Sequence, residues 1–249
     1  MKAAEDDKLK QFPLQFTQQP SMDITDYMVS ECNAEAFRMV DTWPQWLSSG
    51  LIIYGPHGCG KSHLAHLFAD KLKSSAPQPL SVTIIDASAV NMRKVKRLAE
   101  ENTALIVENL AENCDEEALF HLFNLFNAAG RWMLWTSLTA PGQLHFRLKD
   151  LQSRIKMLPS VEIREPDDFM MQMLIVKLFN DRQIMISPEI LHYIMVMSRR
   201  SFAYIRELVE EIDYISLSAK TSISYKTVQQ AMDILERRAS IQPDLFSER

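Results

Sequence analysis

The chain has 249 residues, of which 47% are hydrophobic and 24% are charged, as is usual for a globular protein. Its formal net charge of −5 excludes a uniformly basic surface for nucleic acid. Three cysteines without CxxC or Cys/His metal spacing exclude a zinc site and a disulfide framework and indicate a reducing compartment. The polar N-terminus and the lack of a long apolar window predict a cytoplasmic protein with no signal peptide or membrane span.

Short apolar runs alternate with helical patterns over the first two thirds of the chain. Strands are predicted at 51–54, 81–85, 104–108, 131–137 and 161–163. Helices are predicted between them at 62–73, 89–100 and 116–128. After Pro166 the strands stop, and further helices are predicted at 169–180, 188–197, 202–216 and 225–238. This order is typical of an α/β fold with a parallel sheet, followed by a small all-α module.

The same changes in the pattern of apolar and polar residues predict the domain boundaries. A polar N-terminal arm comprises residues 1–24, and the α/β domain extends over 25–165. The helical domain comprises 166–238, and residues 239–249 form a C-terminal tail.

A phosphate-binding pattern, GxxxxGK[ST], occupies residues 55–62, where glycine is concentrated in a chain that has six glycines in total. Glycines leave room for backbone N–H groups to surround phosphate oxygens, and the following helix directs its positive end at the anion. Lys61 would reach the β- and γ-phosphates, and Ser62 would hold a magnesium ion. The predicted contact residues are Gly55, Pro56, His57, Gly58, Cys59, Gly60, Lys61, Ser62 and His63, with His57 and Cys59 at variable positions. A nucleoside diphosphate or triphosphate is the expected ligand.

The apolar run at 104–107 ends in Glu108 and Asn109. An acid at the end of such a strand organises magnesium in phosphate-loop enzymes, although Glu108 is also compatible with a simple helix-start acid. Asn109 follows where an ATPase usually has a carboxylate, and an amide cannot accept a proton from water at neutral pH. Slow hydrolysis is therefore expected. Thr136 and Ser137 end the next strand, as γ-phosphate sensors or as strand-end caps.

Several segments, in this order, resemble the DnaA-type AAA+ proteins over residues 24–235. They are WPQW at 43–46, EEALFHLFN at 116–124, TS at 136–137, LQSR at 151–154 and IREL at 205–208. The resemblance implies an AAA+ P-loop NTPase core with a helical lid, bound to ADP or ATP with Mg²⁺. It implies that Arg154 is an arginine finger acting on nucleotide in a neighbouring subunit, that Arg206 is the sensor-2 arginine of the same subunit, and that Met28 and Val29 line the adenine pocket.

Each implied role has a plain structural alternative. Arg154 would otherwise form a surface salt bridge. Arg206 would otherwise pair with Glu210 at i,i+4 spacing, and Arg199 and Arg200 compete for the sensor role. Met28 and Val29 would otherwise be ordinary core residues.

Full initiators of this family carry a C-terminal helix-turn-helix domain, for which the sequence leaves no room after its last predicted helix, so no sequence-specific DNA binding is expected. What remains is similar to the short DnaA-related regulators of the Hda type. That similarity implies docking on the DNA polymerase sliding clamp and promotion of ATP hydrolysis on the initiator DnaA. Arg154 also implies a partner subunit, either DnaA or a second copy in a homo-oligomer.

Two terminal peptides resemble clamp-binding motifs. Residues 11–16, QFPLQF, supply Gln11 for a polar contact and Phe12, Leu14 and Phe16 as apolar anchors. The alternative is an arm that packs on its own domain. QPDLF at 242–246 matches the clamp-binding pattern more closely, but we expect the N-terminal peptide to be the main contact and leave the second open.

Two other functions remain open. A DnaC-type helicase loader would bind single-stranded DNA and the replicative helicase through a basic, aromatic channel. The basic cluster of this chain, Arg93, Lys94, Lys96 and Arg97, contains no aromatic residue and is more typical of a solvated helix face. A metabolite kinase would not explain the segment at 151–154 or the terminal peptides.

Overall fold

The computed structural model describes residues 27–75 and 77–241. The predicted clamp-binding peptides at 11–16 and 242–246 lie outside the described residues. The strands are β1 (Gly50–Tyr54), β2 (Val82–Asp86), β3 (Ala104–Leu110), β4 (Trp132–Ser137) and β5 (Ser160–Glu162). The helices are α1 (Ala34–Asp41), α2 (Lys61–Lys73), α3 (Met92–Glu101), α4 (Glu116–Ala128), α5 (Lys149–Met157), α6 (Asp168–Asp181), α7 (Pro188–Met197), α8 (Phe202–Ala219) and α9 (Tyr225–Ile241).

The strands form one parallel sheet in the order β2-β3-β4-β1-β5. Since the strands run in one direction, their carboxyl ends gather at one edge, where open α/β sheets bind ligands. Tyr54 lies opposite Ser137 there, and Asp86 lies opposite Glu108. The expected parallel α/β sheet followed by helices is confirmed.

Alternate residues of β1, β3 and β4 enter two separate cores. Leu51 and Ile53 join the cluster that includes α1, α2 and the C-terminal helices, whereas Ile52 joins the cluster with α3, α4 and α5. These three side chains are fully buried. Burial on both faces explains why the strands appear in the sequence as continuous apolar runs without alternation.

Two helices, α1 and α5, were not predicted from the sequence. Each has eight or nine residues, and its fully or nearly buried positions form a single i,i+4 pair: Ala36 and Val40 in α1, and Leu151 and Ile155 in α5. One such pair is too little periodicity to identify a helix, so tertiary packing decides these two elements: α1 contacts β5 and α2, and α5 contacts α4.

Two of the C-terminal helices, α6 and α8, begin at side-chain caps. Asp167 accepts the backbone N–H of Met170 at 2.7 Å, and Ser201 accepts that of Tyr204 at 3.3 Å. Each cap satisfies a helix-terminal N–H group that would otherwise lack an intrahelical partner. All five strands precede these helices, and the exact domain boundaries stay a prediction. Among the described helices, none is long and apolar enough to cross a membrane.

Candidate nucleotide-binding site

The phosphate loop connects the carboxyl end of β1 to the first turn of α2, as its pattern predicts. Gly55 has φ +153°, and a Cβ placed on it would lie 2.2 Å from the backbone oxygen of Ile163. Gly58 has φ +72°, and a Cβ there would lie 3.2 Å from the backbone nitrogen of Ala203 in α8. Glycine is therefore required at Gly55 by close packing and at both positions by backbone conformation. The loop touches both the segment after β5 and the start of α8.

Lys61 is buried and turned back onto the loop. Its Nζ donates to the backbone oxygens of Gly55 at 2.6 Å and Pro56 at 2.7 Å, and lies 3.7 Å from Sγ of Cys59. Burial lowers the pKa of the Lys61 ammonium, while Cys59 and Glu108 oppose this shift. A cation desolvated by its own loop is well placed to exchange these carbonyls for phosphate oxygens.

The other predicted loop residues differ in accessibility. Ser62 and His57 are exposed and Pro56 is half-buried. Cys59 is buried, which raises the pKa of its thiol, so this cysteine is an unreactive part of the packing. The hydroxyl of Ser62 therefore remains accessible at the start of α2.

Tyr27 covers the side of the loop, a contact that sequence reasoning missed. Its ring lies 5.1 Å from that of His63, edge to face, and 5.8 Å from that of Phe37, stacked. A Cβ on Gly60 would lie 3.4 Å from this ring. An aromatic residue at the edge of an apolar segment is the only signal the sequence offered.

Met28 and Val29 follow Tyr27 beside the loop. Met28 is half-buried against the core, and its backbone oxygen accepts the Asn33 side-chain amide at 2.9 Å, whereas Val29 is exposed. Their predicted role in an adenine pocket stays a prediction, with Val29 free to contact a ligand and Met28 partly committed to packing.

Glu108 ends the apolar part of β3 at the edge that carries the loop. Its Oε1 is buried, and within residues 27–75 and 77–241 it has no hydrogen-bond partner. A buried carboxylate oxygen without a donor is costly unless a further group satisfies it. Glu108 and Ser62 offer the hard oxygen ligands that Mg²⁺ prefers, so the chemistry of these side chains fits a magnesium ion.

Asn109 adopts a left-handed conformation, φ +58°, at an irregularity in the β3–β4 pairing. Its backbone N–H donates to Oγ1 of Thr136 at 3.0 Å, and its side-chain amide donates to Oδ2 of Asp86 at 2.7 Å. The hydrogen bond from the Asn109 amide and, after it, those from Ser88 hold the pKa of Asp86 below its usual range. Asp86 is a site residue that the sequence analysis missed, although it ends an apolar run as Glu108 does.

Thr136 and Ser137 are both buried at the end of β4. Thr136 Oγ1 accepts from Asn109, and Ser137 Oγ accepts the backbone N–H of Thr139 at 3.3 Å. Ser137 also accepts the N–H of Gly55 on its backbone oxygen at 3.2 Å, which joins β4 to the phosphate loop. Both hydroxyls therefore have strand-end partners, as the capping alternative predicts, while lying at the correct edge for the sensor role.

Arg206 lies one turn into α8, whose first residues contact Gly58. Burial lowers the pKa of the Arg206 guanidinium, Asp181 opposes this shift and Arg182 adds to it. Throughout the described part of the chain Arg206 forms no ion pair, so the expected alternative partner, Glu210, is not used. The competing arginines have other partners: Arg199 lies 5.8 Å from the Tyr204 ring centroid and Arg200 pairs with Asp168.

Arg154 is exposed on α5, and in residues 27–75 and 77–241 it has no salt-bridge partner. Leu151 and Ile155 of the same helix are fully buried. The helix thus fixes the backbone at Arg154 and leaves its side chain exposed.

The chain is related in sequence to bacterial replication initiators. It is 28% identical to the chromosomal replication initiator protein DnaA of Flavobacterium psychrophilum over 206 residues, which is 75% of this chain and 41% of that protein. It therefore spans about two fifths of the length of this curated relative. No family model matches the sequence.

Solved structures share the fold. Domain III of Thermotoga maritima DnaA superposes with a TM-score of 0.73 at 16% identity, covering 86% of this chain and 97% of that domain. DnaA bound to AMPPCP and single-stranded DNA gives a TM-score of 0.65 at 18% identity, covering 78% of this chain and 65% of the other. The expected AAA+ P-loop fold and the relation to DnaA are thus both confirmed.

Proposed function

We propose that this chain, a DnaA-related protein with the AAA+ fold, is a nucleotide-bound regulator of replication initiation. In this proposal it docks on the sliding clamp and promotes hydrolysis of the ATP bound to an initiator DnaA. The observation that carries it is Arg154, an exposed arginine fixed by its helix and not paired within the described chain. We expect the protein to act in the cytoplasm, where its target is found.

The phosphate loop is the proposed site for ADP or ATP, and the AMPPCP complex of the similar DnaA supports an adenine nucleotide. Lys61 would bind the β- and γ-phosphates, and Arg206 would approach them from the lid. Ser62 and Glu108 would hold Mg²⁺, which when bound neutralises part of the phosphate charge. Asn109 supplies no general base, so the chain would keep its nucleotide for long periods.

Arg154 would act on the nucleotide of a neighbouring molecule. A planar, permanently charged guanidinium stabilises the charge that develops on transferred phosphoryl oxygens, and supplying it in trans is worth about 10³–10⁵ in rate. The neighbour is proposed to be DnaA, although a second copy of this chain would satisfy the same geometry.

The clamp is proposed as the second partner, on sequence grounds. Gln11, Phe12, Leu14 and Phe16 offer one polar and three apolar contacts, and residues 242–246 offer a second peptide. Either peptide would bring Arg154 to DNA-bound clamps, where a target DnaA would meet it at high local concentration.

A helicase-loader function is the second candidate, because the similar DnaA was solved with single-stranded DNA and α3 is basic. Three of its four cations are engaged locally, however. Lys94 donates to the Ala89 backbone oxygen at 2.7 Å, and the other contacts are ion pairs, Lys96–Glu100 at 3.7 Å and Arg97–Glu101 at 3.3 Å. These contacts favour a solvated helix face.

The decisive experiment measures phosphate release from ATP preloaded on DnaA, in the presence of DNA-loaded clamp and this protein. Arg154→Ala is expected to lower the stimulated rate at least tenfold, because the phosphoryl charge loses its external cation. Lys156→Ala is the matched control, since it also removes an exposed positive charge from α5 and should leave the rate within about twofold.

The same preparation is tested for binding to clamp, DnaA and single-stranded DNA. Loss of clamp binding in the double variant Gln11→Ala, Leu14→Ala supports the N-terminal peptide. Binding that persists there but is lost on removal of residues 242–249 transfers the contact to the C-terminal peptide. Retention of single-stranded DNA without clamp binding, or an Arg154→Ala variant as active as Lys156→Ala, contradicts the proposal.

A further inference from the structure

Asp86 and Asn109 form a hydrogen-bonded pair at the ends of neighbouring strands. The side-chain amide of Asn109 donates to Asp86 Oδ2 at 2.7 Å, while Asp86 Oδ1 accepts the backbone N–H of Ser88 at 2.9 Å. Both carboxylate oxygens of Asp86 therefore accept hydrogen bonds, Oδ2 from Asn109 and Oδ1 from Ser88. Glu108 lies in register with Asp86, which places this Asp86–Asn109 pair at the edge that carries the candidate nucleotide site.

Activation of water needs a proton acceptor at the position next to Glu108, and in this pair the carboxylate and the amide stand at each other's positions. A carboxylate is present on β2, whereas position 109, next to Glu108, carries an amide that cannot accept a proton. A carboxylate at position 109 would meet the Asp86 carboxylate at a hydrogen-bond distance without a proton between them. Like charges repel at this range, so such a side chain would lose the partner that orients it.

The backbone adds a second constraint. Asn109 has φ +58° and donates its N–H to Thr136, so the residue bridges β2 and β4 from a bulge in β3. Short polar residues, Asn and Asp, tolerate this left-handed conformation better than longer ones. The backbone conformation at position 109 therefore tolerates aspartate, but the charge of the neighbouring Asp86 disfavours it.

We propose that Asp86 is a positioning residue that withholds the general base from this site. Asp86 orients the Asn109 side chain by accepting a hydrogen bond from its amide, and the charge of Asp86 makes a carboxylate at position 109 unfavourable. Exchanging the two side chains would restore a carboxylate at 109 with an amide donor beside it, and Oδ1 of the new side chain at 86 would still accept from Ser88. This inference rests on nucleotide binding at the phosphate loop, as proposed above.

In the exchanged protein the reaction is ordinary ATP hydrolysis. The oxygen of water bonds to the γ-phosphorus, the bond to the β–γ bridging oxygen breaks, and ADP leaves. The proton of water passes to the carboxylate at position 109. General-base catalysis typically contributes about 10²–10⁴ in rate.

The test compares kcat and KM for ATP hydrolysis, with Mg²⁺ supplied, in the exchanged variant Asp86→Asn, Asn109→Asp, in each single variant and in the unchanged protein. The exchanged variant is expected to raise kcat at least tenfold with KM within about threefold. Asn109→Asp alone should gain much less, because its carboxylate is repelled by Asp86. Asp86→Asn and Asp86→Ala keep the amide at 109, so neither should reach the rate of the exchanged variant.

Binding of a fluorescent ADP analogue, measured separately, distinguishes the two proposals. If the unchanged protein does not bind the analogue, the proposed function fails at its first step. If all variants bind it and the exchanged variant gains no rate, or gains no more than Asn109→Asp, the inference about the Asp86–Asn109 pair is wrong.

A second measurement does not depend on the exchanged variant folding. The side-chain NH₂ resonance of Asn109, assigned by its loss in Asn109→Asp, is followed by nuclear magnetic resonance. It should shift in Asp86→Ala and shift much less in Ser88→Ala, which removes a hydroxyl that donates to Oδ1 of Asp86 but leaves the bond from Asn109 to Oδ2. An unshifted resonance in Asp86→Ala shows that the bond is absent and overturns the inference.

Discussion

Gly55 lies at a close contact between the phosphate loop and the segment that leads into the helical lid, which consists of α6 to α9. The backbone oxygen of Ile163 lies where a Cβ on Gly55 would be, at 2.2 Å, and the N–H of Ile163 donates to the Tyr54 backbone oxygen at 2.7 Å. Because backbone lies on both sides of this contact, neither side can move away easily. Because Gly55 has no side chain, the phosphate loop and the segment after β5 can pack in direct backbone contact.

Gly55→Ala is therefore expected to lower the thermal unfolding midpoint and weaken nucleotide binding. The left-handed conformation alone costs about 1–3 kcal/mol for a residue with a side chain, and the contact with Ile163 adds to it. Gly142→Ala is the control, because no atom of the described residues lies within 4 Å of its Cβ position, and it should change stability by less than about 1 kcal/mol. Equal midpoints for the two variants would show that the loop does not pack as described.

Helix α6 is tied to the N-terminal segment through its capping residue. Asp167 accepts the backbone N–H of Met170 at 2.7 Å with one oxygen and that of Cys32 at 3.3 Å with the other. Burial opposes the charged form, but these bonds and one from Ser30 hold the pKa of Asp167 below its usual range. The lid therefore begins at a carboxylate that also binds the segment beside the phosphate loop.

Asp167→Asn is expected to destabilise the protein near neutral pH and to flatten the loss of stability in acid. A carboxyl with a lowered pKa in the folded state stabilises it above the unfolded pKa, near 3.9, and this stabilisation is lost as the pH falls through the folded pKa. Unfolding midpoints measured across the acid range check this. Glu165→Gln, at an exposed position nearby, should keep the acid dependence of the unchanged protein.

The described residues form two cores, one on each face of the sheet, and the lid belongs to one of them. Ile205 and Leu208 of α8 are fully buried in the same cluster as Leu51 and Ile53 of β1 and Phe68 of α2. Lid and sheet thus share apolar contacts, which couples their stabilities.

We expect the sheet and the lid to unfold in one transition. All four tryptophans lie between residues 43 and 135, so their fluorescence reports the α/β part, whereas far-ultraviolet circular dichroism also reports α6 to α9. The two signals should coincide in urea. Ile205→Ala should shift both together, at a cost of about 2–5 kcal/mol. A lid signal lost before the fluorescence change would show that the lid folds separately.

Local sequence was sufficient for much of the fold. Both faces of the sheet are buried, so its strands are continuous apolar runs, and helices of ten residues or more carry a visible apolar face. The short helices α1 and α5 were missed because each buries one i,i+4 pair, and their formation depends on tertiary packing, of α1 against β5 and α2 and of α5 against α4.

The phosphate loop was predictable for a physical reason: consecutive backbone groups must surround an anion, so the required glycines and lysine are adjacent in the chain. Asp86 and Tyr27 were not predictable, because their roles depend on residues 23 and 33 positions away, Asn109 and Gly60, which the sheet and loop bring together. Sequence by itself determined the phosphate loop, the proposed nucleotide site, because its contacts are local in the chain. Tertiary structure decided which side chains surround that place and that Asn109 is held by Asp86, because strand order and register set those distances.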